Sequence, residues 1–189
     1  VMEGKGLLFK IFADIDVLDI EVGTKDIEEF IATVKNISPT FGGINLEDIK
    51  APESFEIERR LVEELNIPVM HDDQHGTAII SSAALLNAVE LAGKKMEEVK
   101  MVISGAGSAA IACANLYVSF GVKPENVVMF NSKGALRKDD PRVTDMQRRY
   151  ATDKHYDDLA HAMKGADVFI GLSSGDIVTP EMLLGMADN

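Results

Sequence analysis

A glycine-rich turn between a strand-like and a helix-like segment is the feature that most restricts the fold of this chain. Val99–Ser104 is apolar enough for a buried strand, and 108–120 is a helical pattern rich in small residues. Between them, Gly105-Ala106-Gly107-Ser108-Ala109-Ala110 matches G-x-G-x-x-A. The first glycine permits the tight turn, the second lets a pyrophosphate approach the backbone, and Ala110 permits close helix packing. The pattern predicts an NAD(P)-binding Rossmann-type domain. A turn that serves only packing is the alternative.

The residue that ends the next strand commonly selects between NAD and NADP. A carboxylate there accepts hydrogen bonds from the ribose hydroxyls and repels a 2′-phosphate. Here the apolar segment Val127–Phe130 ends at Asn131, which does not repel phosphate, and Lys133 is close enough in sequence to pair with one. These two residues favour NADP, although Lys133 is equally typical of a solvated turn.

Strand-like and helix-like patterns alternate along the rest of the chain, which predicts an α/β fold. We expect residues 1–71 to form part of an α/β catalytic, metal-binding domain, and residues 72–189 to form the Rossmann-type domain. The first part is predicted to contain a strand at Ile15–Val22, helices capped by Thr24 and Ser54, and strands at Ile44–Leu46 and Ile67–Met70. A helix is predicted from Ala78 to Leu91, and 132–153 is expected to be mostly irregular with one helix.

Both ends of the sequence suggest a longer parent protein. Apolar residues follow closely after Val1, and the helical pattern that starts at Thr179 stops at Asn189 without the strand expected next. We therefore expect sequence before and after this chain.

Two of the predicted strands end in acidic pairs, Glu47-Asp48 and Asp72-Asp73. The carboxyl ends of parallel strands face the ligand crevice of an α/β sheet. If the two strands are neighbours, several carboxylates converge, which is tolerated only when they are protonated or neutralised by a cation. Oxygen ligands favour Mg²⁺ or Mn²⁺ over zinc. Helix capping or simple solvation of the acidic side chains is the alternative.

Composition excludes several classes of partner and compartment. The chain has 31 Asp plus Glu against 19 Lys plus Arg, a formal net charge of −12, which disfavours nucleic acid as a partner. No apolar run approaches the roughly 18 residues needed to cross a bilayer. Cys113 is the single cysteine and cannot form an internal disulfide. A cytoplasmic setting is expected.

Three motifs together, Phe41–Ile49, His71–Ala78 and Gly105–Gly107, resemble malic enzyme in its smaller bacterial form. The likeness extends over nearly the whole chain. Malic enzymes oxidise L-malate with NAD or NADP and decarboxylate the product to pyruvate, with the help of Mg²⁺ or Mn²⁺. The resemblance implies L-malate as the substrate and a homodimer or larger homo-oligomer.

The resemblance also implies roles for individual residues. Glu47, Asp48 and Asp73 match the metal-ligand carboxylates, Lys5 matches the catalytic lysine, and Asp72 matches the acid that supports it. The predicted cofactor-binding residues are Gly105, Ala106, Gly107, Ser108, Ala109, Ala110, Asn131, Lys133, Thr77 and Ser173. A lysine base requires a depressed pKa, which burial would favour.

Part of the family's catalytic set has no counterpart here. Its tyrosine acid and an arginine that binds a malate carboxylate precede the equivalent of Val1, and its substrate-binding asparagines follow the equivalent of Asn189. Two alternatives to the decarboxylase therefore remain. One is a cofactor-binding fragment without activity of its own, and the other is a metal-independent NAD(P) dehydrogenase whose acidic pairs cap helices.

Overall fold

The chain divides into two units, each of which contains its own sheet. The computed structural model describes residues 1–188. Unit 1 is Val1–Asp72, and unit 2 begins at Asp73. None of the helices formed by residues 1–188 is both long and apolar enough to span a bilayer.

Unit 1 packs two helices against a short parallel strand pair. Its elements are α1 (Met2–Ala13), α2 (Ile27–Ile37), β1 (Ile44–Leu46), α3 (Glu53–Glu64) and β2 (Val69–His71). β1 and β2 pair in parallel, with Ile44 opposite Val69 and Leu46 opposite His71, so the prediction that the two acidic strand ends are neighbours is confirmed. The buried core of this unit is formed by Ile31, Val34, Leu46, Ile57 and Leu61.

The predicted strand at Ile15–Val22 is wrong. Residues 14–26 have no regular secondary structure, and Ile15, Leu18 and Ile20 are exposed. An alternating pattern supplies the side chains of a strand but not the neighbouring backbone that must satisfy its hydrogen bonds. No strand among the described residues pairs with this segment.

Two of the predicted helix caps are also wrong. Asp26, rather than Thr24, is the N-cap of α2 and accepts the Glu29 N–H at 2.9 Å. Thr24 Oγ1 instead accepts the N–H of Asp26 at 3.1 Å. Ser54 lies buried inside the first turn of α3, whose N-cap is Pro52. In both cases the observed N-cap lies two residues from the predicted one.

Unit 2 is built on a four-stranded sheet of order β5-β4-β3-β6. β3 (Met101–Ser104) is parallel to both β4 (Val127–Asn131) and β6 (Val168–Gly171), and β5 (Gly134–Ala135) is antiparallel to β4. Its helices are α4 (Asp72–Leu91), α5 (Ser108–Ser119), α6 (Asp145–Arg148), α7 (Leu159–Met163) and α8 (Pro180–Leu184). α4 begins six residues earlier than the predicted Ala78, so the acidic pair lies in its first turn.

Both faces of this sheet are covered by buried side chains. Ile103 and Met129 pack with Tyr117 of α5 in one cluster. Val102 and Val128, their alternate neighbours along the strands, pack with Met163 of α7 in another. Alternation of this kind in parallel strands is typical of a doubly wound sheet, and the predicted Rossmann-type α/β fold is confirmed.

One carboxylate, that of Asp167 before β6, links three parts of unit 2. Its oxygens accept hydrogen bonds from Lys94 Nζ at 2.7 Å and from the Lys100 N–H at 2.8 Å. Burial acts to raise the pKa of Asp167, but the hydrogen bonds from Lys94 and Lys100 outweigh burial, so the pKa is lowered. A lowered pKa in the folded state stabilises the fold above the unfolded value of about 3.9, and this stabilisation is lost as the pH falls through the folded pKa.

We predict that Asp167→Ala lowers the free energy of unfolding of unit 2 by about 1–3 kcal/mol at pH 7, because two donors lose their partner. The difference from wild type should shrink as the pH falls below about 4. The chain has no tryptophan, and its three tyrosines all lie in unit 2, so tyrosine fluorescence during urea unfolding reports on this unit. Asp139→Asn, which breaks the exposed pair with Arg137, should leave unfolding unchanged. Equal stability of Asp167→Ala and wild type at pH 7 would contradict the stabilising role of the Asp167 hydrogen bonds.

Candidate functional site

The glycine turn after β3 lies against the segment that follows β6. Gly105 has φ 126°, in the region that favours glycine, and a Cβ atom there would overlap the carbonyl oxygen of Leu172. The Leu172 N–H donates to the Ser104 carbonyl at 2.7 Å, and the Ser104 and Ser173 hydroxyls are 2.8 Å apart. β3 is also the strand from which the chain order reverses, since β4 lies on one side and β6 on the other. Ligands of open α/β sheets bind at this kind of switch point.

The second glycine leaves open space at the N-terminus of α5. Gly107 is the N-cap residue and supplies no side-chain cap, and a Cβ atom built on it would meet no atom within 4 Å. The first N–H groups of a helix have no partner within the helix and carry its positive dipole end. An uncapped helix start beside open space fits the pyrophosphate of a dinucleotide.

A cleft of about 510 Å³ opens at these strand ends. Of the predicted cofactor-binding residues, Gly105, Ala106, Gly107, Asn131 and Ser173 line it, whereas Ser108, Ala109, Ala110, Lys133 and Thr77 do not. Ala110 is buried, as expected for a residue that permits close helix packing. The structure adds Ser104, Ser132 and Gln147 to the cleft. The cofactor-binding roles themselves remain predictions.

Asn131 uses one end of its amide within the protein. Its Oδ1 accepts the backbone N–H of Lys133 at 2.8 Å, so the Nδ2 donor is the end left for a ligand. The Lys133 ammonium also acts electrostatically on Asp140, whose pKa is lowered to about 2, chiefly by hydrogen bonds from Arg142. At this edge of the cleft, next to β4, Asn131 therefore offers an N–H donor and no negative charge.

In unit 1, α1 brings Lys5 to the carboxyl ends of β1 and β2. Its ammonium donates a hydrogen bond to Asp72, 67 residues further along the chain, and lies 3.6 Å from Glu47 Oε2. The Glu47 side chain is only 8% exposed. A carboxylate this buried requires a cation or hydrogen-bond donors, and Asn45 Nδ2 also donates to it at 3.0 Å.

The carboxylates around Lys5 have a larger effect on its pKa than burial has. The hydrogen bond to Asp72 raises the pKa of Lys5, and burial, which acts in the opposite direction, is outweighed. Side-chain exposure of 30% for Lys5 explains why desolvation is the smaller effect. Lys5 is therefore an ammonium group held by carboxylates.

Buried His71 supports the segment that follows β1. Its Nε2 lies 3.2 Å from the carbonyl oxygen of Ile49, and its backbone N–H donates to Glu58 at 2.8 Å. Ile49 follows Glu47 and Asp48 directly, and Asp48 adopts a left-handed conformation with φ 55°, which Asp tolerates better than most residues. The sequence placed His71 beside the acidic pairs but did not reveal this packing role.

A pre-formed metal site is not part of the described structure. Among residues 1–188, no group of three or more His, Cys, Asp or Glu side chains is arranged to hold a metal ion. The carboxylates of Glu47 and Asp48 are the type of donor that Mg²⁺ and Mn²⁺ prefer, but the ligand set Glu47, Asp48 and Asp73 stays a prediction.

We predict different outcomes for alanine at the two glycines. Gly105→Ala should lower the stability of unit 2, because the new methyl group overlaps backbone that follows β6 and the residue has a positive φ. Gly107→Ala should leave stability unchanged but weaken NADP⁺ or NAD⁺ binding about tenfold or more, because the methyl group occupies the open space. Urea unfolding and calorimetric titration measure the two effects. Wild-type affinity for NADP⁺ and NAD⁺ in a folded Gly107→Ala variant would contradict the binding of the dinucleotide next to Gly107.

Two family models match this chain, over successive ranges of residues. The family "Malic enzyme, NAD binding domain" matches residues 74–189, and the family "Malic enzyme, N-terminal domain" matches residues 1–62. Together these matches cover the glycine turn and cleft of unit 2, and Lys5 and Glu47 of unit 1.

Individual relatives support the same family. An NADP-dependent malic enzyme of Halomonas elongata is 52% identical over the whole chain, which spans 45% of that protein. An NAD-dependent malic enzyme of Rhizobium meliloti is 51% identical, and the chain spans 24% of it. The crystal structure of an NAD-dependent malic enzyme from Thermotoga maritima has a TM-score of 0.90 and 46% identity, covering 98% of this chain and 50% of that one. The chain thus spans half or less of the length of these proteins, and it belongs to the malic enzyme family.

Proposed function

We propose that this chain takes part in the oxidative decarboxylation of L-malate to pyruvate and CO₂, with reduction of NADP⁺ or NAD⁺. The observation that carries the proposal is the contact of Lys5 with Asp72 and its proximity to Glu47. A cation and two carboxylates from distant parts of the sequence meet at the ends of two parallel strands, in a chain whose other unit has a dinucleotide-type cleft. Family membership and the names of the relatives support the same reaction.

Lys5 is the proposed proton acceptor for the C2 hydroxyl of malate. Loss of that proton assists departure of hydride from C2, because the carbonyl forms as the hydride leaves. An ammonium group cannot accept a proton, so Lys5 must first become neutral. Asp72 opposes this step through the hydrogen bond that raises the Lys5 pKa. Neutralising the charge of Asp72 or Glu47 would lower that pKa. Asp72 therefore both holds the Lys5 amine in place and controls its protonation.

Glu47, Asp48 and Asp73 are the proposed ligands of Mg²⁺ or Mn²⁺. A divalent cation would polarise the C2 carbonyl and accept electron density as CO₂ departs. The proposal rests on the oxygen-donor chemistry and on the resemblance of the acidic motifs to the family.

NADP is the proposed cofactor in preference to NAD. Asn131 carries no charge, and the bond from Lys133 to its Oδ1 leaves an N–H donor toward the ligand. Donors and the nearby ammonium favour a 2′-phosphate over a bare ribose. Relatives of nearly equal identity bear both cofactor names, so similarity alone does not decide between the two.

We also infer the type of partner, the compartment and the oligomeric state of the protein. A net charge of −12 supports a small-molecule rather than a nucleic-acid partner. The single cysteine, Cys113, is buried and free, as is usual in a reducing compartment, and we infer a cytoplasmic location. A homodimer is inferred from the family, and exposed apolar side chains on α1, including Leu7 and Phe12, are compatible with an interface.

A cofactor-binding module without chemistry of its own is the second candidate. One observation favours it, namely that the chain spans only part of the length of its relatives.

We propose to test the reaction by exchanging segments with a relative. The matching segment of the Halomonas elongata protein is replaced by this chain, and NADP⁺ reduction, pyruvate and CO₂ are measured with L-malate and Mn²⁺, with and without chelator. Chelator-sensitive pyruvate formation is expected. Asp72→Asn in this chimera should lower kcat about 100-fold or more, because a neutral amide holds the Lys5 amine in place less firmly than the carboxylate does. The same change should shift the pH profile of kcat to lower pH, because the pKa of Lys5 falls.

The matched control for this variant is Asp16→Asn. It removes an exposed Lys–Asp contact of 2.8 Å in the same unit and should leave kcat unchanged. Cofactor reduction without CO₂ and without chelator sensitivity would indicate a metal-independent dehydrogenase. Cofactor binding without turnover by the chimera would contradict the decarboxylase and support the binding module.

We predict that Asn131→Asp shifts cofactor preference toward NAD⁺. Aspartate keeps the oxygen that accepts the Lys133 N–H but adds a charge that repels a 2′-phosphate. The ratio of Kd for NADP⁺ to Kd for NAD⁺ should therefore rise about tenfold or more. Lys133→Met should weaken NADP⁺ binding and leave NAD⁺ binding unchanged. If the ratio of Kd for NADP⁺ to Kd for NAD⁺ is unchanged in both variants, neither Asn131 nor Lys133 selects the cofactor.

A further inference from the structure

The segment between β4 and β6 is folded against the rest of unit 2 rather than exposed as a loop. Sequence patterns predicted an irregular stretch with one helix over 132–153, but Leu136, Val143 and Tyr150 are buried there. The Leu136 N–H donates to the Met129 carbonyl at 2.8 Å, and Tyr150 Oη donates to Asn115 Oδ1 of α5 at 2.6 Å. This segment is therefore fixed both to the sheet and to the helix that follows the glycine turn.

Gln147 extends from this segment to the glycine turn itself. Its Nε2 donates to the carbonyl oxygen of Ala106 at 2.8 Å, and its Oε1 accepts the backbone N–H of Thr144 at 3.1 Å. Both ends of the amide are thus engaged. In the reverse orientation, the side-chain oxygen would face the Ala106 carbonyl oxygen and the side-chain NH₂ group would face the Thr144 N–H, so both hydrogen bonds would be lost. Gln147 also lines the cleft.

The bond to Ala106 has a consequence for the next residue. The Ala106 carbonyl and the Gly107 N–H belong to one peptide unit, which is planar and, when trans, directs the two groups in opposite directions. A donor that holds the carbonyl therefore also fixes the direction of the N–H. Gly107 makes this peptide easier to rotate than most, since glycine has wide access to φ.

We propose that Gln147 is a positioning residue for the dinucleotide, and that its hydrogen bond to Ala106 holds the Ala106–Gly107 peptide in the orientation that binds pyrophosphate. The inference rests on the proposed binding of NADP⁺ or NAD⁺ in this cleft. A second role is already visible, because Gln147 and Thr144 form the capping box of α6. The experiment must therefore separate positioning from capping.

Three variants of the 189-residue chain separate the two roles. Gln147→Met keeps the length of the side chain and loses both hydrogen bonds. Gln147→Glu keeps an acceptor for Thr144 but replaces the donor to Ala106 by a carboxylate oxygen. Thr144→Ala weakens the cap and retains the bond to Ala106. Binding of NADP⁺ and NAD⁺ is measured by calorimetry, and the amide NMR signals of residues 105–110 of the ¹⁵N-labelled chain are recorded without cofactor.

Gln147→Met should raise Kd about three- to tenfold, the effect of one lost hydrogen bond. It should also shift or broaden the amide NMR signal of Gly107, because the Ala106–Gly107 peptide is no longer held in one orientation. Gln147→Glu should raise Kd further, because its charge also repels the pyrophosphate. Thr144→Ala should lower the stability of the segment while Kd stays at the wild-type value. Equal Kd values for Gln147→Met and wild type, or the same loss of affinity in Thr144→Ala, would overturn the proposal.

The NMR measurement keeps this proposal distinct from the proposed function. If wild type binds neither dinucleotide, both the proposed cofactor binding and the positioning role are overturned. If wild type binds, an unchanged Gly107 amide signal in Gln147→Met overturns the positioning role alone.

Discussion

Unit 2 depends on a contact between two stretches of backbone, the turn after β3 and the segment after β6. Gly105 has room for a hydrogen atom but not for a methyl group, because the Leu172 carbonyl occupies the space a Cβ would take. Hydrogen bonds from Leu172 to Ser104 and between Ser104 and Ser173 hold the same contact. The cleft is therefore a product of close strand packing at a point where the chain order reverses. Its floor is backbone, which suits a ligand whose central group is a pyrophosphate.

The candidate site of unit 1 is formed by charged side chains, whereas that of unit 2 is formed largely by backbone. Lys5, Asp72 and Glu47 come together where β1 and β2 end, and Glu47 is nearly buried. Such a group is stable only while cation and carboxylates compensate one another. The same compensation opposes a neutral lysine, and raises the Lys5 pKa. Chemistry at Lys5 therefore requires that the balance of charge around Asp72 and Glu47 change.

The parts of the molecule that could be predicted are those specified by local sequence. The glycine motif identified the turn between β3 and α5, and the acidic pairs identified the ends of two strands that are parallel neighbours. The predictions that failed depend on partners elsewhere in the chain. Ile15–Val22 alternates like a strand but has no neighbouring strand among the described residues. The direction of the Lys5 pKa shift is left open by the sequence, because it depends on Asp72, 67 residues away. Thr144 and Gln147 have the spacing of a capping box, but nothing local indicates that Gln147 also contacts Ala106.

We propose above all that a dinucleotide binds at the turn after β3, with its pyrophosphate at the start of α5. This binding site is tested by titration of the ¹⁵N-labelled chain with NADP⁺, followed by amide NMR. We expect large chemical-shift changes for Gly105, Gly107 and the first residues of α5, with smaller ones at Asn131. Core amides of unit 1 such as Ile57 and Leu61 should not respond. An unchanged spectrum at saturating NADP⁺ and NAD⁺, or shifts confined to unit 1, would contradict it.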